Sequence, residues 1–137
     1  MSDTDAVLFA NEAFYAAFVS RDMNAMEALW ATKNPVAVIH PGWNPIFGRD
    51  AVLQTWRDIL ENPNAPAIRC VHPRVVPQGA TAAAVLCYEE IAGNYLIATN
   101  LFVREGPVWR MTHHQAGPAS RPPQSTDPGA DRPQRLN

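Results

Sequence analysis

The chain has 137 residues, 47% of them hydrophobic, and a formal net charge of −2 at pH 7. That length suits one domain with a real core, and the near-neutral balance leaves no electrostatic footprint for nucleic acid. No run approaches the roughly 18 apolar residues of a membrane span, and the opening MSDTDAVLFANEAF is acidic, without the basic start of a secretory leader. A cytoplasmic protein is expected, with Cys70 and Cys87 as buried, reduced thiols.

Val7, Ala10, Phe14 and Phe18 recur at helical spacing and predict an amphipathic helix over residues 5–20. Asp22 can cap a second helix carrying Met23, Met26, Leu29 and Trp30. Val36, Val38 and Ile39 form a short strand that stops at His40-Pro41, and the prolines and glycines of 41–48 read as a loop. RDAVLQTWRDILEN is a third helix with Val52, Trp56, Ile59 and Leu60 on one side and Asp50 in its first turn, where the helix dipole favours it. The remainder reads as strands. AIRCVHPRVVP is bent or at an edge because of its prolines, and TAAAVLCYEEI, YLIATNLFVRE and VWRMTHHQA follow across short turns at Gly93-Asn94 and Gly106-Pro107. The fold class is α+β, three helices followed by an antiparallel meander that curves around them. Residues 1–118 make the domain. The proline-rich segment 119–137 has almost no apolar residues and is expected to be a disordered tail.

The element order, with HPGW, GRDAVLQTW and IL in the first half and ATNLFVRE and WRMTHH in the second, resembles the SnoaL-like branch of the nuclear-transport-factor-two-like (ketosteroid-isomerase-like) superfamily over about residues 5–118. The resemblance implies a cone-shaped barrel with a pocket at its wide end, and homodimers packed through the outer face of the sheet. It does not imply one activity, because the fold hosts isomerases, cyclases, dehydratases and non-catalytic hubs. In the superfamily's ketosteroid isomerases a first-helix tyrosine donates to the oxyanion. That position is Phe14 here, with Tyr15 about 100° further round the helix. The isomerase's base aspartate falls on His40, and its protonated aspartate falls near Thr99-Asn100. A second resemblance, to the association domain of calcium/calmodulin-dependent kinase, places Glu89 and Asn100 at two of that domain's pocket arginines and His113 at its strand-ending histidine.

The candidate catalytic residues are therefore His40, Glu89, Asn100 and His113. His40 can be a base near neutral pH or simply cap its loop. Strand periodicity puts His113 and His114 on opposite faces. His113 is expected inside because it shares a face with Trp109 and Met111. Val85, Cys87 and Glu89 share a face; an inward Glu89 needs a partner, and His40 or His113 would be it, with a raised histidine pKa. Asn100, an amide in an apolar strand, wants buried partners. Trp43 at the loop rim, with Phe14, Tyr15, Trp56 and His114, completes the expected ligand-contacting set, although buried tryptophans are more often core. His40, His113 and Glu89 could converge as a two-histidine, one-carboxylate set, but no metal-ligand spacing, phosphate loop or nucleophile elbow is present, and neither metal nor cofactor is expected. Two readings stand: a mostly apolar pocket that binds a small hydrophobic molecule, or a cofactor-free isomerase, cyclase or dehydratase acting on a small hydrophobic carbonyl compound with His40 as base.

Overall fold

The computed structural model describes residues 1–124. Helix α1 (Asp3–Ser20) begins two residues before the expected start, because the Ser2 hydroxyl accepts from the Asp5 amide at 3.1 Å. It ends at Arg21, whose left-handed backbone (φ 56) turns the chain. Asp22 caps α2 (Met23–Leu29) as expected, accepting from the Ala25 amide at 3.0 Å. After β1 (Ala37–Ile39), the segment read as loop contains a second short strand, β2 (Ile46–Phe47), which pairs back antiparallel onto β1. Its two residues are too few for periodicity to reveal. Gly48, at φ +89, then opens α3 (Arg49–Glu61) with its amide bonded to the Val36 carbonyl.

Strands β3 (Arg69–Pro77), β4 (Ala82–Ile91), β5 (Asn94–Glu105) and β6 (Val108–Pro118) form the meander. The β4–β5 turn is Ala92-Gly93, one residue earlier than the sequence suggested. Both residues have positive φ (49 and 83), and Asn94 already pairs with Ile91, the geometry that right-twisted strands prefer. The sheet has six strands in the order β2-β1-β6-β5-β4-β3, and β1 joins β6 in parallel. It is curved but open, since its edge strands β2 and β3 do not pair with each other.

The helices lie on the concave face. Val7, Phe14 and Phe18 of α1, Met26 and Trp30 of and beyond α2, and Val52 and Trp56 of α3 meet Val38, Val85, Phe102 and Met111 of the sheet. Three polar clasps hold the layers together. Arg21 donates to the carbonyls of Leu60, Asn62 and Ala65, occupying acceptors at the end of α3. Arg49 reaches the carbonyls of Glu27 and Ala31. Glu105 accepts from the amides of Thr32 and Lys33 and from the Asn34 side chain.

Residues 119–124 carry no helix or strand, and the rest of the expected tail, 125–137, lies outside the described residues. No helix of the described residues is long and apolar enough to cross a membrane. Cys70 and Cys87 are thiols, not joined in a disulfide; Cys87 is buried and Cys70 half-buried.

Candidate functional site

One irregularity in β6 decides which histidine faces inward. Leu101 pairs with His113 but Phe102 pairs with Met111, so Thr112 is an extra residue on β6. Such a bulge reverses the alternation of side chains. Trp109 and Met111 point inward before it, and His114 and Ala116 after it. The expectation of His113 inside is therefore corrected. His113 is half-buried, and its Nδ1 lies 2.9 Å from the Ala37 carbonyl of the neighbouring strand. His114 is the interior imidazole, 4% exposed.

The ladder then assembles the site. Val85, Asn100, His114 and Val38 form one rung across β4, β5, β6 and β1. Cys87, Ala98 and Ala116 form the next, and His40, two residues beyond Val38, continues it on the same face. The floor between Cys87 and His40 is thus two alanines. Glu89 is inward as the Val85–Cys87–Glu89 periodicity allowed, and it is 2% exposed.

Its partner is neither His40 nor His113. The Tyr15 hydroxyl donates to Glu89 Oε2 at 2.7 Å and accepts from the Asn100 amide at 3.1 Å. The other Asn100 amide hydrogen goes to Asn11 Oδ1 at 2.8 Å. With both amide hydrogens so placed, Asn100 Oδ1 is the acceptor facing His114 Nδ1 at 2.6 Å, which makes Nδ1 the protonated nitrogen. His114 Nε2 is left with its lone pair, 3.9 Å from Glu89 Oε2. That approach is not an ion pair. Burial, with His40 and His113 nearby, lowers the His114 pKa to about 3, and burial raises that of Glu89, against the Tyr15 hydrogen bond. The rise expected from a pairing of Glu89 with His40 or His113 has no basis, because neither is its partner, and at His114 desolvation is the largest cause and lowers the pKa.

His40 also packs against Trp56. The ring centroids of Trp56 and His40 are 4.6 Å apart, and those of Trp56 and His114 are 5.7 Å apart. His40 Nε2 lies 2.9 Å from the Thr55 hydroxyl, which itself donates to the Val52 carbonyl at 2.7 Å. A hydroxyl has one hydrogen, so His40 Nε2 must donate and Nδ1 holds the lone pair. Burial lowers the His40 pKa to about 4, so the ring is neutral at pH 7. Trp43, 46% exposed, lays its ring 4.9 Å from that of His40. Phe14 packs between Tyr15, Trp56 and His114.

The sequence reading missed Asn11 and Thr55. Asn11 had a signal, since it falls on the same stripe as Val7, Phe14 and Phe18, where a polar side chain must be buried. Thr55 had none. Among the described residues no three His, Cys, Asp or Glu side chains are grouped to hold a metal ion. A separate open cleft of about 520 Å³, between Val19, Ile68, Arg69, Glu90 and the Ala92-Gly93 turn, shares no side chain with the site.

A curved, open sheet wrapped over three helices, with a polar cluster on its concave face, defines a nuclear-transport-factor-two-like domain. The SnoaL-like domain model matches residues 7–120, and the chain belongs to that family. A Streptomyces avermitilis protein of the NTF2-like family, described as a candidate dehydratase, is 29% identical, with a TM-score of 0.78 over 87% of this chain and 97% of that one. A candidate type II calcium/calmodulin-dependent protein kinase association domain from Thiobacillus denitrificans is 32% identical, with a TM-score of 0.71 over 81% and 93%. The F-box protein SKIP8 of Arabidopsis thaliana is 25% identical over 115 residues; the match takes in 82% of this chain but only 49% of that protein, so the chain spans about half the length of this curated relative.

Proposed function

We propose that the concave interior of this SnoaL-like domain binds a small, mostly apolar molecule between Trp43, His40, Trp56 and the alanine floor. The carrying observation is the line of buried polar groups from His114 through Asn100 to Tyr15 and Glu89, set in a core that is otherwise apolar. A scaffold gains little from such a line, because each group must be desolvated and then repaired by a hydrogen bond. A ligand site needs a few placed polar groups in apolar walls.

A second reading, acid–base catalysis, is favoured by one observation: His40 is neutral, with its Nδ1 lone pair uncommitted. The reaction class is dehydration, in line with the description of the Streptomyces avermitilis relative. His40 Nδ1 takes the proton next to a carbonyl, the C–H electron pair becomes the new C=C bond, and the C–O bond of the neighbouring hydroxyl breaks. The proton passes from the imidazole to that oxygen, which leaves as water, and His40 returns to its starting state. Incubation with a panel of 3-hydroxy ketones and 3-hydroxy thioesters, followed by mass spectrometry, tests this. Loss of water with the native protein and none with His40→Gln supports catalysis. Binding without any loss leaves a binding domain, and no binding removes both readings.

Two cysteines that form no disulfide fit a reducing, cytoplasmic setting. We also assign homodimerisation to the outer sheet face, where Leu86 and Ile97 are 42% and 43% exposed on adjacent strands. Sedimentation should show a dimer that the pair Leu86→Lys and Ile97→Lys converts to a folded monomer; a native monomer refutes it.

A further inference from the structure

The donors of the polar cluster are spoken for. Tyr15 gives its proton to Glu89, His114 to Asn100, His40 to Thr55 and Thr55 to Val52, while Asn100 uses both amide hydrogens on Asn11 and Tyr15. Two neighbouring donors are not spoken for. The indole nitrogens of Trp30 and Trp56 are buried and meet no acceptor among the described residues. Trp30 is 0% and Trp56 1% exposed, and their ring centroids are 6.3 Å apart. A buried N–H with no acceptor bears its whole desolvation cost, so a buried indole N–H ordinarily finds a partner. A core that pairs the donors of Tyr15, His40, Thr55, Asn100 and His114 but leaves an adjacent pair of indoles marks the place of an acceptor that the described residues do not supply. Trp56 is also the ring against which both interior imidazoles pack.

The charge of the walls limits what that acceptor is. Among the described residues the buried polar and charged side chains comprise no lysine or arginine. An anionic oxygen there would be desolvated without a cation, beside the Glu89 carboxyl.

We propose that the Trp56 indole N–H is the donor that holds the ligand's oxygen, that this oxygen belongs to a neutral carbonyl, and that the site rejects the matching carboxylate. The proposal rests on the reading of the interior as a small-molecule site. Tyr15, although inside, is not this donor, because its proton is held by Glu89. The second free indole, Trp30, suits a second neutral oxygen, as a hydroxy ketone would carry.

The test uses the full chain with its four tryptophans labelled with ¹⁵N, the indole signals assigned through Trp30→Phe and Trp56→Phe. The probes are cyclohexanone, methylcyclohexane and cyclohexanecarboxylate at pH 7. Cyclohexanone is expected to move the Trp56 Nε1–H signal downfield and to bind at least about tenfold more tightly than the carboxylate. Trp56→Phe should bind cyclohexanone no better than methylcyclohexane. If that variant fails to fold, the signal shift in the native protein still decides. Equal binding of ketone and carboxylate overturns the neutral-ligand claim. Ketone binding that leaves the Trp56 signal unmoved overturns the donor claim, with the small-molecule reading intact. Failure of all three probes to bind takes down the proposal together with that reading.

Discussion

Two neutral histidines in the core make the fold acid-labile in a way that can be assigned residue by residue. The ordinary histidine pKa is near 6.5, and here burial lowers His40 to about 4 and His114 to about 3. As pH falls below about 6.5 the unfolded chain takes up a proton at each site while the folded chain does not, so falling pH favours unfolding. Between pH 7 and pH 5 each histidine costs about 1.9 kcal/mol, at about 1.4 kcal/mol per pH unit per proton. Together they remove about 4 kcal/mol, a large part of the stability of a domain this size. Glu89 acts with the opposite sign. Its folded pKa is raised, so its penalty grows as pH rises above the ordinary carboxyl range and is relieved on acidification. Urea unfolding followed by tryptophan fluorescence at pH 7, 6 and 5 separates the contributions. His114→Asn keeps a donor where Nδ1 stands and cannot titrate, so its loss of stability over this range should be about 2 kcal/mol smaller than that of the native chain. His40→Gln, which keeps a donor where Nε2 stands, should do the same. Glu89→Gln should steepen the pH dependence. A His114→Asn profile that matches the native one within about 0.5 kcal/mol would refute the argument. A profile steeper than the native one would mean that His114 is protonated in the fold and paired with an ionised Glu89 across their 3.9 Å separation.

Two further substitutions probe the supports of the site. Tyr15→Phe removes the donor to Glu89 and an acceptor of Asn100, and should cost about 1–3 kcal/mol by denaturant unfolding, since two buried groups lose a partner at once; a neutral result would mean that water replaces the hydroxyl. Glu105, whose side chain is 4% exposed, is held to a pKa of about 2, because hydrogen bonds from Asn34, Thr32 and Lys33 outweigh its burial. Glu105→Gln should cost about 1–3 kcal/mol at pH 7. That difference should shrink as pH falls from the ordinary carboxyl range toward about 2, because the native carboxylate's contribution is present above the unfolded pKa and lost through the folded one.

Much of this was legible from residue order alone. The three helices, the short strand ending at His40 and the four long strands follow from spacing, and so does the shared face of Val85, Cys87 and Glu89, though not that it points inward. What escaped were features without a period. The two-residue strand β2 falls below the length at which alternation can be seen. The partner of Glu89 was sought among basic side chains, whereas the fold supplies a phenol from a helix distant in sequence. Asn11 was readable as a polar residue on an apolar stripe. The tautomers of His40 and His114 were not, because each follows from what its acceptor does elsewhere.

The inserted Thr112 explains why the paired histidines mislead, and also what the pairing does. A regular strand carrying Trp109 and Met111 inward would carry His113 inward too, and His113 would then stand where His114 now meets Asn100. One extra residue turns the strand over, so β6 contributes large apolar side chains near the β5–β6 turn and an imidazole and an alanine at its far end. Parallel pairing of β1 with that far end brings His40 in beside Ala116, on the same wall as His114. His113, turned outward by the same step, bonds to the Ala37 carbonyl and ties β6 to β1 where the two interior histidines are set. One residue of register thus divides the two imidazoles between the wall of the site and the seam that holds the wall in place, and restoring a regular strand would exchange their places.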